Sequence, residues 1–196
     1  MELERLAPEL LCSIQCALDS PQDLYYLIKA SPASLHAFVA ARRIILSSVV
    51  QNALSPEAIP HALAILHIPK TPPEEYHHEN CDLCDFLDQY LRGNSWSFPK
   101  DLSSVITLAR LIPRVSGLID EYFDFAMKLP VTEPCLSGFS PPSSTEWARL
   151  QIVFLRFEIF YQIFPMRDNS RYHFFAEKIF GHAITDVEKK FIETVP

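Results

Sequence analysis

The stretch His77-His78-Glu79-Asn80-Cys81-Asp82-Leu83-Cys84 crowds together the side chains best suited to hold a metal ion. Cys-x-x-Cys spacing lets two thiolates grip one zinc ion, and His77 or its neighbour could add an imidazole nitrogen. Structural zinc takes four ligands, however, and the other cysteines lie far away, Cys12 and Cys16 on a predicted helix and Cys135 in a predicted connector. A domain stabilised by zinc on His77, Cys81 and Cys84 is therefore one reading. The expected one is a solvated loop running into a helix, with no metal and no other cofactor. Thiol redox chemistry fits poorly, because Glu79, Asp82 and Asp85 surround the two thiols and disfavour their charged form. From Glu74 to Asp88 there are six acids and no Lys or Arg, which reads as a solvated acidic surface. A G-x-S-x-G elbow, a phosphate-binding G-x-x-x-x-G-K-[ST] loop, an H-E-x-x-H pair and a G-x-G-x-x-G turn are all absent. The chain is expected not to be an enzyme.

The elements that must carry these residues are helical. In 196 residues, 48% are hydrophobic, enough for a buried core, and 16 prolines against 4 glycines suit proline-opened helices better than tight hairpins. A net charge of -7 without a compact basic run argues against nucleic acid as a partner. Five cysteines, an odd number, fit a reducing compartment better than a disulfide framework. The start, MELERLAPELL, carries acids and a proline where a signal peptide needs basic and then unbroken apolar residues. The longest strongly apolar stretches, such as 44–50 and 152–155, fall short of the roughly 20 residues that span a bilayer. A cytoplasmic or nuclear location without membrane contact is expected.

Helix starts are marked by hydroxyl residues before proline at Ser20-Pro21, Ser31-Pro32 and Ser55-Pro56, each placing an acceptor at the N-cap and a preset φ at the first helical position. Asp23, three residues after Ser20, completes an approximate capping box. Apolar spacing predicts helices over about 8–18, a short one through Leu24, Tyr25, Leu27 and Ile28, then 35–54 with a break near Arg42-Arg43, 58–66, 82–91 and 101–129. In the long helix Leu102, Val105, Ile106, Ala109, Ile112, Ile119, Phe123 and Met127 should mark the buried side, and Pro113 should kink or split it. Ser144 or Thr145 can cap a helix whose Trp147, Leu150, Phe154, Phe157, Tyr161 and Phe164 make a core stripe. Arg149 and Arg156 should be structural there, stacked on aromatics or paired with Glu146 and Glu158. A last helix should run from Thr185 to about Val195, after a stop at Gly181. The fold is thus expected to be all-α, with a helical unit over 1–54 and a further helical domain over 55–196 interrupted by long loops near 68–80 and 130–143.

The first fifty residues present more Leu and Ile than three short helices can hide from one another. Through Leu6, Pro8, Glu9, Leu10, Leu11, Ile14, Leu18, the turn Ser20-Pro21-Gln22-Asp23-Leu24, Ile28, Ala30, Ser31 and Pro32 the chain resembles an F-box. It looks most like the fungal F-box-like proteins, which the segments 108–127 and 146–164 also resemble. The resemblance departs at Leu6-Ala7-Pro8, where Leu-Pro is usually adjacent, and at Gln15, where an aliphatic residue is usual. It implies a three-helix unit docking on the Skp-type adaptor of a cullin-RING ubiquitin ligase through Leu6, Pro8, Leu10, Leu11, Ile14, Leu18 and Leu24, while the rest of the chain presents an unknown substrate protein. A stand-alone helical interaction or scaffold protein, its leucines sealed into its own core, is the alternative.

Overall fold

The computed structural model describes Glu4 and residues 6–70, 81–93, 96–128 and 142–163. Among the described residues are seven helices and no strand: α1 (Pro8–Cys16), α2 (Pro21–Ala30), α3 (Pro32–Ala53), α4 (Ile59–Leu66), α5 (Cys81–Leu91), α6 (Leu102–Lys128) and α7 (Ser144–Ile163). The expected helix over 185–195 and the stop at Gly181 lie outside them.

Local chemistry sets the helix starts. The Ser20 hydroxyl accepts the Asp23 amide at 3.2 Å and the Ser31 hydroxyl accepts the Ser34 amide at 3.5 Å, each ahead of a proline. Asp101 does the same for α6, its carboxylate accepting the Ser104 amide at 2.7 Å, and that bond holds the carboxyl below its usual range. Ser55-Pro56 differs from expectation. The Ser55 hydroxyl accepts the Ala58 amide at 3.3 Å within a turn, and α4 begins only at Ile59, where Pro60 supplies the proline of the first turn. The cap of α7 also sits one residue earlier than expected: Ser143 and Glu146 exchange bonds in a complete capping box, with the Ser143 amide donating to the Glu146 carboxylate at 2.8 Å and the Glu146 amide donating to the Ser143 hydroxyl at 3.3 Å. At the end of α5, Gly93 adopts φ 71°, a left-handed conformation that a side chain would disfavour.

The long helix α3 is the spine. It bends at Ala41 (φ -123°, ψ 24°), one residue before the basic pair where the break was expected. Leu24, Ile45 and Val49 form a small core that the half-buried Cys12, Cys16, Leu18, Ile28 and Phe38 complete. On the other side Val50 and Leu54 join the larger core, built with α4, Phe86 of α5, α6 and α7. One helix therefore enters both cores, and the division at residue 54 falls at its end.

Two long helices seal part of the expected stripes, Val105, Ile112 and Ile119 in α6 and Phe154 in α7, together with neighbouring positions that spacing did not mark. In α6 the sealed positions are Val105, Leu108, Leu111, Ile112, Val115 and Ile119, while Ile106 and Ala109 are half-buried. Pro113 lies inside α6 on its exposed side and does not split the helix. In α7 the sealed stripe is Gln151, Phe154, Leu155, Glu158, Ile159 and Ile163, and Tyr161 is exposed. Aromatic residues on every side of α7 hide this register from spacing alone. Its two buried polar residues are permitted because each is bonded. Glu158 takes a fork from Arg114 of α6 at 3.2 and 3.0 Å, so its partner is neither Arg149 nor Arg156. Gln151 donates to the Ala53 carbonyl at 2.8 Å and accepts the Ser55 amide at 2.9 Å, binding both backbone groups left over where α3 ends.

Arg156 instead joins a polar trio linking α4, α5 and α7. It donates to the Tyr90 hydroxyl, which lies 2.8 Å from Nδ1 of His61. Since the guanidinium only donates, the phenol proton is free to point at an unprotonated imidazole nitrogen. Burial, and then the nearby Arg156 charge, push the His61 pKa down to about 4, and burial pushes Tyr90 up to about 12. Trp96 stacks on Phe86 at 5.8 Å and on His67 at 5.5 Å, closing this end of the larger core.

By length and composition, two helices could cross a membrane, 32–53 and 102–124, each with a mean hydropathy of 1.4. The short unbroken apolar runs did not anticipate this. In each, 28% of the apolar window is buried: Ile45, Val49 and Val50 of the first and Val105 and Ile119 of the second are fully buried, while Leu35, Val39 and Ile44 of the first are exposed.

Two outcomes follow from these polar contacts. Gln151→Ala should cost about 1–3 kcal/mol, since it orphans a donor and an acceptor at the end of α3, and urea denaturation reads the loss. The His61 ring is neutral in folded and unfolded chains well above pH 6.5, the ordinary histidine value, so its contribution is complete there. As pH falls toward 4 only the unfolded chain takes up the proton, and stability should drop by on the order of 2–3 kcal/mol. His61→Gln should remove that part of the pH dependence.

Candidate functional site

The seven residues expected to dock separate into two groups. Leu11 and Leu24 are each 2% exposed and sit inside the unit, where they hold α1 and α2 against α3. They are core residues and offer nothing to a partner in this conformation. Leu10 (55% exposed) and Ile14 (40%) stand one helical turn apart on the open flank of α1, Pro8 is exposed at its first turn, and Leu6 and Leu18 are half-buried. The split has a geometric cause. Leu10 and Leu11 differ by about 100° around the helix axis, and α3 can cover only one of those directions.

Further large apolar side chains that were not expected to dock are also exposed on these helices. Leu35 and Val39, also one turn apart, are exposed on the first half of α3, as is Ile44 farther along it, and Tyr25 and Tyr26 are exposed on α2. Their signal in the sequence was the excess of large apolar side chains itself. Lys29 lies 5.1 Å above the Tyr25 ring, a cation on an exposed aromatic face.

Gln15 plays a part its sequence position did not suggest. It is fully buried, and its amide donates to the Ser34 carbonyl at 2.8 Å, fastening α1 to the first turn of α3. The departure from an aliphatic residue is thus an internal tie and lies away from the exposed flank. At the same C-terminal end of α1 the Asn52 amide donates to the carbonyl of Cys16 at 2.9 Å and, just past the helix, to that of Leu18 at 3.0 Å, satisfying acceptors left open where the helix stops. Cys12 and Cys16 are free thiols one turn apart; burial, and then its neighbour Cys16, push the Cys12 pKa up, so its thiolate is disfavoured.

The residues considered for zinc are not brought together by anything described. Cys84 is an exposed free thiol on α5, Cys81 is placed only by its backbone at the start of that helix, and His77 and His78 lie outside the described residues. Among the described residues there is no group of three or more His, Cys, Asp or Glu side chains that could hold a metal ion.

Comparison with protein-family models, with curated proteins and with solved structures finds no match for this chain. What the site supports therefore rests on its own chemistry: a rigid helical wedge, tied internally by Gln15 and Asn52, with large apolar side chains left outside. Leu11→Ala should lower the unfolding free energy by about 2–5 kcal/mol, whereas Leu10→Ala should change it by less than about 0.5 kcal/mol, both read in urea.

Proposed function

We propose that this chain is a non-enzymatic adaptor of the F-box type, found in the cytoplasm or nucleus, which docks on a Skp-type subunit of a cullin-RING ubiquitin ligase and presents a substrate protein. The observation that carries the reading is the number of large apolar side chains exposed on the first three helices, among them Leu10 and Ile14 on α1 and Leu35 and Val39 on α3. Covering apolar surface contributes about 25 cal/mol per square ångström, so exposure of this kind favours a second polypeptide. The residue pattern that resembles an F-box lies on the same helices. Ubiquitin transfer would be the work of partner enzymes, and this chain would contribute proximity.

The burial of Leu11 and Leu24 favours a second reading, a self-contained helical interaction or scaffold protein with no ligase association. Co-expression with a fungal Skp-type adaptor separates the two. Under the adaptor reading a stable one-to-one complex elutes from size exclusion, and the double change Leu10→Asp/Ile14→Asp removes it while leaving thermal unfolding of the free chain unchanged. A wild-type chain that elutes alone overturns the adaptor reading. Leu11→Asp is no test of docking, because it unfolds the unit from within.

A further inference from the structure

A groove of about 860 Å³ lies away from the open flank, where the α1–α2 turn, the end of α3, the middle of α6 and the start of α7 meet. Its volume falls in the range of sites that enclose a side chain or small ligand. One stripe of α6 forms a wall, from Ile112 and Pro113 through Gly117 to Asp120, and α7 contributes Trp147 and Gln151. A Cβ built on Gly117 meets nothing within 4 Å, so that wall stands open.

The electrostatics of this groove have one sign. Asp19 and Asp120 both line it, and no Lys, Arg or His does. Two helix N-termini approach it, those of α2 and α7, and each already carries its own first-turn acid, Asp23 and Glu146. The end of α3 also forms part of the lining, and that helix has no basic residue in its last turn, so the negative end of its dipole is left without a partner charge. Trp147 adds a half-buried aromatic ring, a surface on which a cation can rest.

We infer that this groove holds a peptide segment of a partner protein through an arginine or lysine side chain, whose charge lies between Asp19 and Asp120 and whose aliphatic stem packs along Trp147 and Pro113. This deepens the adaptor reading and rests on it for one point only, that the bound peptide belongs to a protein being presented. The groove and the open flank use different residues, so each can be removed alone.

The test uses the full chain and a positional-scanning library of capped nonapeptides. Bound peptides should be enriched in Arg or Lys at one position at least. Asp19→Asn/Asp120→Asn should weaken the selected peptide by about tenfold or more, as expected when a charge pair loses its carboxylates. Gly117→Leu fills the groove and strengthens helix propensity at that position, so it should fold at least as well as the wild type and also lose the peptide. No basic enrichment, or enrichment that survives both changes, overturns the inference. Complex formation with the Skp-type adaptor is measured on the same variants. Peptide binding without adaptor binding sinks the ligase reading and leaves the groove assigned, whereas adaptor binding without basic selectivity removes the groove and leaves the adaptor.

Discussion

The end of α3 is the place on which the rest of the molecule depends. A helix terminus inside a protein leaves backbone carbonyls with no partner, and each must be satisfied or pay the cost of desolvation. Here two amide side chains do so in both directions. Asn52, on α3 itself, donates to the carbonyls that end α1. Gln151, arriving from α7, binds a carbonyl and an amide on either side of Leu54. Segments nearly a hundred residues apart in the chain are thereby held in one register, and the two apolar cores that α3 enters keep a fixed relation.

That register determines which leucines of the first helices are structural. α1 is fastened to α3 at its C-terminal end, by Gln15 to the start of α3 and by Asn52 from near the end of α3, and the buried Leu11 fixes which side of it faces inward. Leu11 is committed to the interior, and Leu10 and Ile14 are committed to solvent. A docking face on this unit is therefore preformed, and binding there would not first require ordering the helices.

The far end of the larger core is closed differently, by a titratable trio and stacked rings. His61, Tyr90 and Arg156 come from three helices and share their protons in a way that only the neutral imidazole permits. This end responds to acid, whereas the Asn52 and Gln151 ties carry no ionisable group.

The sequence by itself determined the elements. Ser20-Pro21 and Ser31-Pro32 announce two helix starts through chemistry confined to four residues, and helical spacing of apolar residues announces the rest, so the all-α character was legible throughout the described chain. Where a signal is local, one strand of text carries all of it. Tertiary structure alone decided the faces. Leu10 and Leu11 are equivalent in spacing, Gln15 reads as a flaw in an apolar stripe, Glu158 is expected to pair within α7 until Arg114 of α6 takes it, and nothing in the spacing marks Gln151 as the tie to Ala53 and Ser55. The groove depends on the same kind of meeting, since Asp19, Gly117 and Trp147 acquire a common surface only when α3, α6 and α7 pack. Burial and hydrogen-bond satisfaction are properties of pairs of residues, and their partners lie too far along the chain for any local pattern to name them.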